Sequence, residues 1–223
     1  MNAPIQFGTV KGHLARPEGS GPFPAVIVIQ EWWGLDAQTK SIADRFAKEG
    51  YLAFAPDLYH GEIAQLGDSD TATNLVQKYA PNAPKDLESL FDALKSHPDC
   101  SGRIGSVGFC FGGRMSLLLS TTRPLHAVCT FYGGGMQTVF DQLRTNLKAP
   151  VLGFFGDADV SIPAGTVGQF DILLDEIGVE HEIIMYPNSG HAFFRDRDPQ
   201  VDKPEASKDA WERTKKFFAK HLN

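Results

Sequence analysis

Short runs of consecutive apolar residues alternate along the chain with segments whose apolar residues recur every three or four positions. The runs at 25–29, 51–55 and 151–156 lack the alternation of a half-exposed strand, which is typical of strands covered on both faces. The segments at 39–49 and 204–221 carry their apolar residues on one helical face. This order predicts an α/β fold, a mostly parallel sheet with helices on both faces.

The same patterns predict the remaining elements. These are a strand or hairpin at 5–16, helices at 84–96 and 163–177, and further strands at 127–132 and 181–186. Residues 62–82 are polar, loop-rich and partly helical in pattern, and such an insertion is suited to a lid or a substrate wall. No internal repeat, low-complexity tract or linker interrupts the chain, so a single domain spanning 1–223 is predicted.

One apolar segment leads directly into a glycine-rich turn and then into a helical pattern. The turn, Gly-x-Cys-x-Gly-Gly at 108–113, is the sequence of a nucleophile elbow with Cys110 in the position of the nucleophile. Gly108 and Gly112 fall where a Cβ atom would clash. The N–H of Phe111 would then lie at a helix N-terminus, ready to stabilise an oxyanion. The alternative is a buried cysteine in an ordinary turn.

Reactive side chains follow several of the predicted strands, where ligands bind in open α/β sheets. They are Glu31, Asp57, Cys110, Tyr132, Asp157 with Asp159, and His191. A nucleophile, then an acid, then a histidine is the order used by α/β-hydrolases. The sequence therefore predicts a catalytic site built from Cys110, one of the two aspartates and His191.

The histidine lies in a polar turn that contains a glycine, and it would accept the proton of Cys110. An imidazolium beside a thiol favours the thiolate. Asp157 and Asp159 are two residues apart and cannot both point toward His191. The other aspartate would form a local turn or cap a helix. The alternative for His191 is a surface or loop-capping role.

Glu31 ends an apolar strand and precedes Trp32 and Trp33. Poor solvation there would raise the pKa of its carboxyl group and make it a proton partner for the thiol. The alternative is an exposed loop glutamate beside core tryptophans.

The composition of the chain argues against some classes of binding partner. The chain has 21 Lys and Arg against 27 Asp and Glu, a formal net charge of −6, which argues against nucleic-acid or anionic-membrane binding. Residues 1–6 lack the pattern of a secretion signal, and no run approaches the roughly 20 apolar residues of a membrane span. Three cysteines favour reduced thiols, so we expect a cytoplasmic location. We also expect a monomer. Neither metal-ligand spacing nor a nucleotide-binding motif is present, so no metal or cofactor is expected.

Four motifs together resemble those of the dienelactone hydrolase family, the cysteine branch of the α/β-hydrolases. They are Gln30-Glu31-Trp32-Trp33-Gly34, Gly108-Phe109-Cys110-Phe111-Gly112-Gly113, Gly156-Asp157-Ala158-Asp159-Val160-Ser161-Ile162-Pro163 and Gly190-His191-Ala192-Phe193. The resemblance extends from Val26 to Phe218.

The resemblance implies a Cys110–His191–Asp159 triad. It also implies that Glu31 holds the resting thiol and releases it when substrate binds. The N–H groups of Phe111 and Trp32 would form the oxyanion hole.

The family's type enzyme binds the carboxylate of its lactone with two arginines, and Arg195 matches one of them. The other is expected after Pro56, yet residues 57–102 contain no arginine. Lys78 or Lys85 could replace it, although an ammonium cannot copy the guanidinium fork. Ala192 stands where the family has a small polar residue. Tyr132 is a further candidate to contact the substrate.

The expected activity is hydrolysis of an activated ester or enol-lactone through a thioester acyl-enzyme. The preferred substrate is dienelactone, giving maleylacetate. One alternative is a carboxylesterase or thioesterase with another substrate range. The other is a non-catalytic protein of the same fold in which Cys110 senses oxidants.

Overall fold

The computed structural model describes residues 5–223, in which eight strands form one sheet. The strands are β1 (Ile5–Phe7), β2 (Val10–Ala15), β3 (Phe23–Ile29), β4 (Leu52–Pro56), β5 (Cys100–Phe109), β6 (Ala127–Phe131), β7 (Val151–Gly156) and β8 (His181–Tyr186). The helices are α1 (Ala37–Lys48), α2 (Ser69–Tyr79), α3 (Ala83–Lys95), α4 (Phe111–Leu119), α5 (Phe140–Asn146), α6 (Ala164–Ile177) and α7 (Pro204–Leu222).

The strands lie in the order β1-β2-β4-β3-β5-β6-β7-β8. β1 and β2 form an antiparallel hairpin, and β2 pairs antiparallel with β4. Every other pairing is parallel. The carboxyl ends of β3 to β8 therefore meet at one edge of the sheet, which we call the carboxyl rim.

Helices cover both faces of the sheet, as the apolar runs predict. Residues 25–29 of β3 are 0% exposed. On β5, Ser106 meets Ser116 of α4 through their hydroxyl groups, whereas a Cβ on Gly105 would touch Phe218 of α7. Successive residues of a strand point to opposite faces, so α4 and α7 lie on opposite sides. α1 lies beside α7, with the ring of Phe46 4.9 Å from Trp211.

The predicted elements occur in the predicted order, with small differences at their ends. β6 ends at Phe131 rather than at 132 because Tyr132 adopts a positive φ of 38°. The segment at 62–82 contains α2, in agreement with its partly helical pattern. A 3-10 turn at Met136–Val139 and the seven-residue α5 were not predicted. Residues 1–4 lie outside the described residues, so most of the stretch to which the secretion-signal expectation refers is not described. No helix within 5–223 combines the length and apolarity that crossing a bilayer requires.

Replacing Phe218 should test the packing beneath α1 and α7. This side chain is 0% exposed and contacts Phe46 and Tyr51. We expect Phe218→Ala to lower the free energy of unfolding by about 3–5 kcal/mol, because it leaves a cavity. Urea denaturation measures this value. The control is Ile172→Ala, whose side chain is 59% exposed and whose loss should change stability by less than about 0.5 kcal/mol. Equal effects of the two substitutions would contradict the packing described.

Candidate active site

Cys110 occupies a sharp turn between β5 and α4. Its φ of 53° and ψ of −113° are uncommon for a residue with a side chain. A Cβ on Gly108 would lie 1.9 Å from the carbonyl oxygen of Gly112, and a Cβ on Gly112 would lie 2.4 Å from that of Gln30. Only glycine fits at either position, as the sequence predicts. The turn raises Cys110 at the carboxyl rim.

His191 and Asp159 approach each other from the loops that follow β8 and β7. Asp159 Oδ2 lies 2.6 Å from His191 Nδ1. The other oxygen, Oδ1, accepts hydrogen bonds from the N–H of Ser161 at 2.8 Å and from its hydroxyl at 2.6 Å. The Asp159 side chain is 1% exposed. The carboxylate is therefore fixed on both oxygens, and Ser161 is a positioning residue that the sequence analysis did not single out.

Asp157 contacts the His191 loop through the loop's backbone and not through the imidazole. Its Oδ1 accepts a hydrogen bond of 2.7 Å from the N–H of Asn188, in the loop that carries His191. The N–H of Ala158 donates to the carbonyl of Ser189 at 3.0 Å. A Cβ on Gly156 would lie 2.0 Å from that same carbonyl oxygen. The two loops are thus bonded directly to each other, and Asp159 alone of the two aspartates contacts His191.

The groups around His191 shift its pKa. Burial lowers the pKa of His191, but hydrogen bonds with Asp159 and Cys110 and their charges outweigh it and raise this pKa to about 10. Burial works against ionisation of Asp159, yet hydrogen bonds from His191 and Ser161 hold its pKa below the ordinary value. An imidazolium between a carboxylate and the sulfur is the protonation state that these shifts favour.

The structure pairs Glu31 with Arg195 and Tyr132, and not with the thiol of Cys110 as expected. Glu31 is 4% exposed; one carboxylate oxygen pairs with Arg195, and the other accepts the hydroxyl of Tyr132 at 3.2 Å. Burial raises the pKa of Glu31, against the opposing charge of Arg195. The Tyr132 ring also lies 5.1 Å from that of His191. Tyr132 is itself 0% exposed, so in this structure it supports Glu31 and does not face open space.

The guanidinium of Arg195 is already paired with carboxylates of the protein itself. Arg195 is 3% exposed, one terminal nitrogen pairs with Glu31, and the other lies 2.7 Å from Asp36 Oδ2. Asp36 in turn caps α1, accepting the N–H of Thr39 at 2.9 Å. The expectation that Arg195 binds a substrate carboxylate does not fit this arrangement, because two protein carboxylates hold its guanidinium. Asp36 was not among the predicted site residues, although its position just before a helical pattern is a signal for a helix cap.

The two expected oxyanion donors lie at the rim. Phe111 is the first residue of α4, and Trp32 follows Glu31 after β3. Neither N–H has an acceptor within residues 5–223. Of the two lysines considered as substrate cations, Lys78 is paired with Glu62 and is 57% exposed, while Lys85 is exposed. Within the described part of the chain, no three His, Cys, Asp or Glu side chains form a potential metal site.

A mostly parallel eight-stranded sheet with an elbow after β5, an acid after β7 and a histidine after β8 defines an α/β-hydrolase fold. Comparison with known proteins narrows the class. The family model described as "Dienelactone hydrolase family" matches residues 10–222. The chain belongs to this family of hydrolases, as its motifs suggested.

Individual relatives support this family assignment. Proteins named "Putative carboxymethylenebutenolidase" from Methylorubrum extorquens and Synechocystis sp. are 33% and 31% identical, covering 99% and 100% of this chain and 80% and 96% of their own. The crystal structure of a "Putative Dienelactone Hydrolase" from Klebsiella pneumoniae is 31% identical, with a TM-score of 0.84 over 98% of this chain and 99% of that one. A dienelactone hydrolase-like promiscuous phosphotriesterase from metagenomic libraries, 23% identical, shares the fold with a TM-score of 0.86 over 96% and 93%.

Charged His191 should stabilise the folded state in a pH-dependent manner. Its pKa is about 10 in the folded protein, against about 6.5 for an ordinary histidine. The stabilisation that charged His191 contributes is therefore complete below about pH 6.5 and is lost as the pH rises through about 10. We expect the difference in unfolding free energy between wild type and His191→Gln to shrink from pH 7 to pH 10 in urea titrations. In an Asp159→Asn background this pH dependence should weaken. A difference that stays constant with pH would contradict the charge assignment.

Removal of Arg195 should destabilise the fold. Arg195→Met leaves the buried Glu31 and the half-buried Asp36 without a cation, and breaking a buried pair costs about 3–5 kcal/mol. Urea denaturation measures the loss. Exposed Arg197, two residues further on, provides the control, because Arg197→Met should change stability by less than about 0.5 kcal/mol. If Arg195→Met were as stable as wild type, the guanidinium would not have the structural role described.

Proposed function

We propose that the protein hydrolyses an activated carboxylic ester or an enol-lactone, with Cys110 as nucleophile, His191 as base and Asp159 as the acid that orients it. The observation that carries this proposal is the Asp159–His191 bond of 2.6 Å beside a cysteine on a strained elbow. Membership of a hydrolase family and the names of the relatives support it. Nucleophile, base and orienting group within hydrogen-bond reach are the signature of covalent catalysis.

In the first half-reaction, the Cys110 thiolate attacks the carbonyl carbon and an S–C bond forms. The carbonyl oxygen becomes negative, and the N–H groups of Phe111 and Trp32 would stabilise it. The tetrahedral intermediate collapses as the bond from carbon to the leaving oxygen breaks. His191 gives its proton to that oxygen, either as the bond breaks or once the oxygen has left as an enolate, and is itself left neutral. The product of this step is a thioester on Cys110.

In the second half-reaction, water replaces the leaving group. His191 takes one proton from the water, and the resulting hydroxide attacks the thioester carbon. The S–C bond then breaks, Cys110 leaves as thiolate, and the carboxylic acid is released as carboxylate. Asp159 keeps the Nδ1 proton of His191 in place throughout, so that Nε2 is the nitrogen that exchanges protons.

The best candidate substrate is dienelactone, which would give maleylacetate. The carboxymethylenebutenolidase names of the relatives support this choice. An enolate is also a good leaving group and suits a thiolate nucleophile. A second candidate function is a carboxylesterase or thioesterase with another substrate range. The occupied state of Arg195 favours it, because that arginine offers a substrate carboxylate no free terminal nitrogen.

Two aspartates in the same loop allow a matched test of the triad. We expect Asp159→Asn to lower kcat on a 4-nitrophenyl ester by about 10²–10⁴-fold, because the amide cannot hold His191 in the active tautomer. Asp157→Asn keeps an oxygen that accepts the N–H of Asn188 and should lose little activity. Cys110→Ala should abolish the pre-steady-state burst of 4-nitrophenolate in stopped-flow measurements.

Circular dichroism and unfolding curves of each variant separate lost chemistry from lost folding. A Cys110→Ala variant with undiminished turnover would end the proposal. Equal losses in the two aspartate variants would remove Asp159 from its assigned role. Turnover of neutral esters but not of dienelactone would favour the second candidate function.

A further inference from the structure

Three consecutive glycines follow β6, and the middle one, Gly134, lies beside the nucleophile. A Cβ atom on Gly134 would lie 3.9 Å from the sulfur of Cys110. Apart from the chain neighbours of Gly134, no other heavy atom of residues 5–223 lies within 4 Å of that position. Both Gly134 and Cys110 are half-buried. A side chain at 134 would therefore extend into open space next to the thiol, at the carboxyl rim.

The other two glycines have structural reasons that Gly134 lacks. A Cβ on Gly133 would lie 2.8 Å from Thr130 Oγ1. Gly135 has a φ of 73°, in the left-handed region, and a Cβ there would lie 3.0 Å from Arg114 Nη1. Gly134 has no positive φ, and a methyl group 3.9 Å from the sulfur would make an ordinary van der Waals contact. Neither the backbone nor the packing of the protein therefore requires glycine at 134.

Main-chain hydrogen bonds fix the gap between Gly134 and the thiol. The N–H of Gly134 donates to the carbonyl of Cys110 at 3.2 Å, and the N–H of Cys110 donates to the carbonyl of Phe131 at 3.0 Å. On the far side of the loop, the N–H of Met136 donates to the carbonyl of Gly133 at 3.2 Å, and the Met136 side chain is 0% exposed. Withdrawal of the loop from the elbow would break these bonds. A single methyl group at 134 would therefore take its space from the substrate.

The acyl chain of the substrate is the group that this space would receive. In a thioester on Cys110 the carbonyl group is planar, so its oxygen and its acyl chain lie on opposite sides of the S–C bond. The proposed oxyanion donors, the N–H groups of Phe111 and Trp32, would hold the oxygen on the side of β3. β6 lies on the other side of β5 in the sheet. The acyl chain is thus directed toward the loop that carries Gly134.

We propose that Gly134 determines the acyl specificity of the site, because its missing side chain leaves room beside the sulfur for a substituent on the carbon next to the ester carbonyl. The inference rests on the proposed function, since it names the acyl class that the site accepts, namely acids substituted at that carbon. One methylene in an apolar pocket changes discrimination between substrates by about 10- to 200-fold. A single methyl group at 134 is therefore enough to change which esters are hydrolysed.

The test compares two esters with the same leaving group, 4-nitrophenyl acetate and the branched 4-nitrophenyl 2-methylpropanoate. In Gly134→Ala the ratio of kcat/KM for the branched ester to that for the acetate should fall about 10- to 100-fold, because the added methyl group meets the branch. Gly134→Val should lower this ratio further. The matched control is Gly168→Ala on the exposed face of α6, where a Cβ also meets open space, and it should leave the ratio unchanged.

Thermal unfolding separates a role in specificity from a structural one. Gly134→Ala should unfold about 1–4 °C above wild type, because the backbone accepts alanine and the unfolded chain loses freedom. Gly135→Ala should unfold below wild type, because its positive φ does not suit a side chain. A Gly134→Ala variant that unfolds at as low a temperature as Gly135→Ala would show that glycine at 134 serves the fold, and would overturn the proposal.

Alkylation of Cys110 gives a readout that does not depend on hydrolysis. The thiolate attacks the carbon of iodoacetamide or of its branched analogue 2-iodopropanamide, an S–C bond forms, and iodide leaves. Peptide mass spectrometry follows Cys110 separately from Cys100 and Cys129, which are buried. In Gly134→Ala the ratio of the rate with the branched reagent to that with iodoacetamide should fall about 10-fold relative to wild type. Gly168→Ala should keep the wild-type ratio.

The two readouts distinguish failure of the specificity role from failure of the proposed function. An unchanged ester ratio in a protein whose hydrolysis depends on Cys110 would overturn the role of Gly134 and leave the proposed function intact. If wild type shows no hydrolysis that depends on Cys110, the proposed function fails, and the alkylation ratio alone decides whether Gly134 keeps the space beside the sulfur open. An alkylation ratio equal in wild type and Gly134→Ala would then overturn that as well.

Discussion

The close contact between the start of α4 and the end of β3 is the constraint on which the site depends. Gly112 lies against the carbonyl groups of Ile29 and Gln30, and Gly108 lies against Gly112 itself. This packing leaves Cys110 no relaxed backbone conformation, and it sets the first N–H groups of α4 beside the residues that follow β3. Nucleophile position and oxyanion donors therefore have a single steric origin. The strain is held by the packed strands on either side of β5.

The carboxylate partners of the two arginines at the rim are distributed unevenly. Arg195 serves two carboxylates, Glu31 and Asp36, while Arg114 serves none in the described residues. In the first group both terminal nitrogens of Arg195 are paired, although its Nε has no partner in the described residues, and the group joins the His191 loop to the start of α1. The second lies in the first turn of α4, at the positive end of that helix. The two arginines thus differ in the carboxylates that pair with them and not in their residue type.

Local sequence determined most of the fold and part of the site. The apolar run of β3 and the glycines around Cys110 were predictable, because burial on both faces and a missing Cβ leave direct traces in sequence. The choice between Asp157 and Asp159 depended on which loop each side chain reaches, and spacing alone left it open. The pairing of Arg195 with Asp36 joins residues 159 positions apart, so no local pattern could reveal it. The unpaired state of Arg114 is likewise a property of the assembled rim.

The bonds between the loops after β7 and β8 have a consequence for the evolution and engineering of this scaffold. Asp157 holds the backbone of Asn188, and Ala158 is bonded to Ser189, so the segments bearing Asp159 and His191 form one mechanical unit. Transplanting either segment alone into a homologous framework would separate it from its counterpart. Variants of this scaffold therefore have to exchange the two segments together.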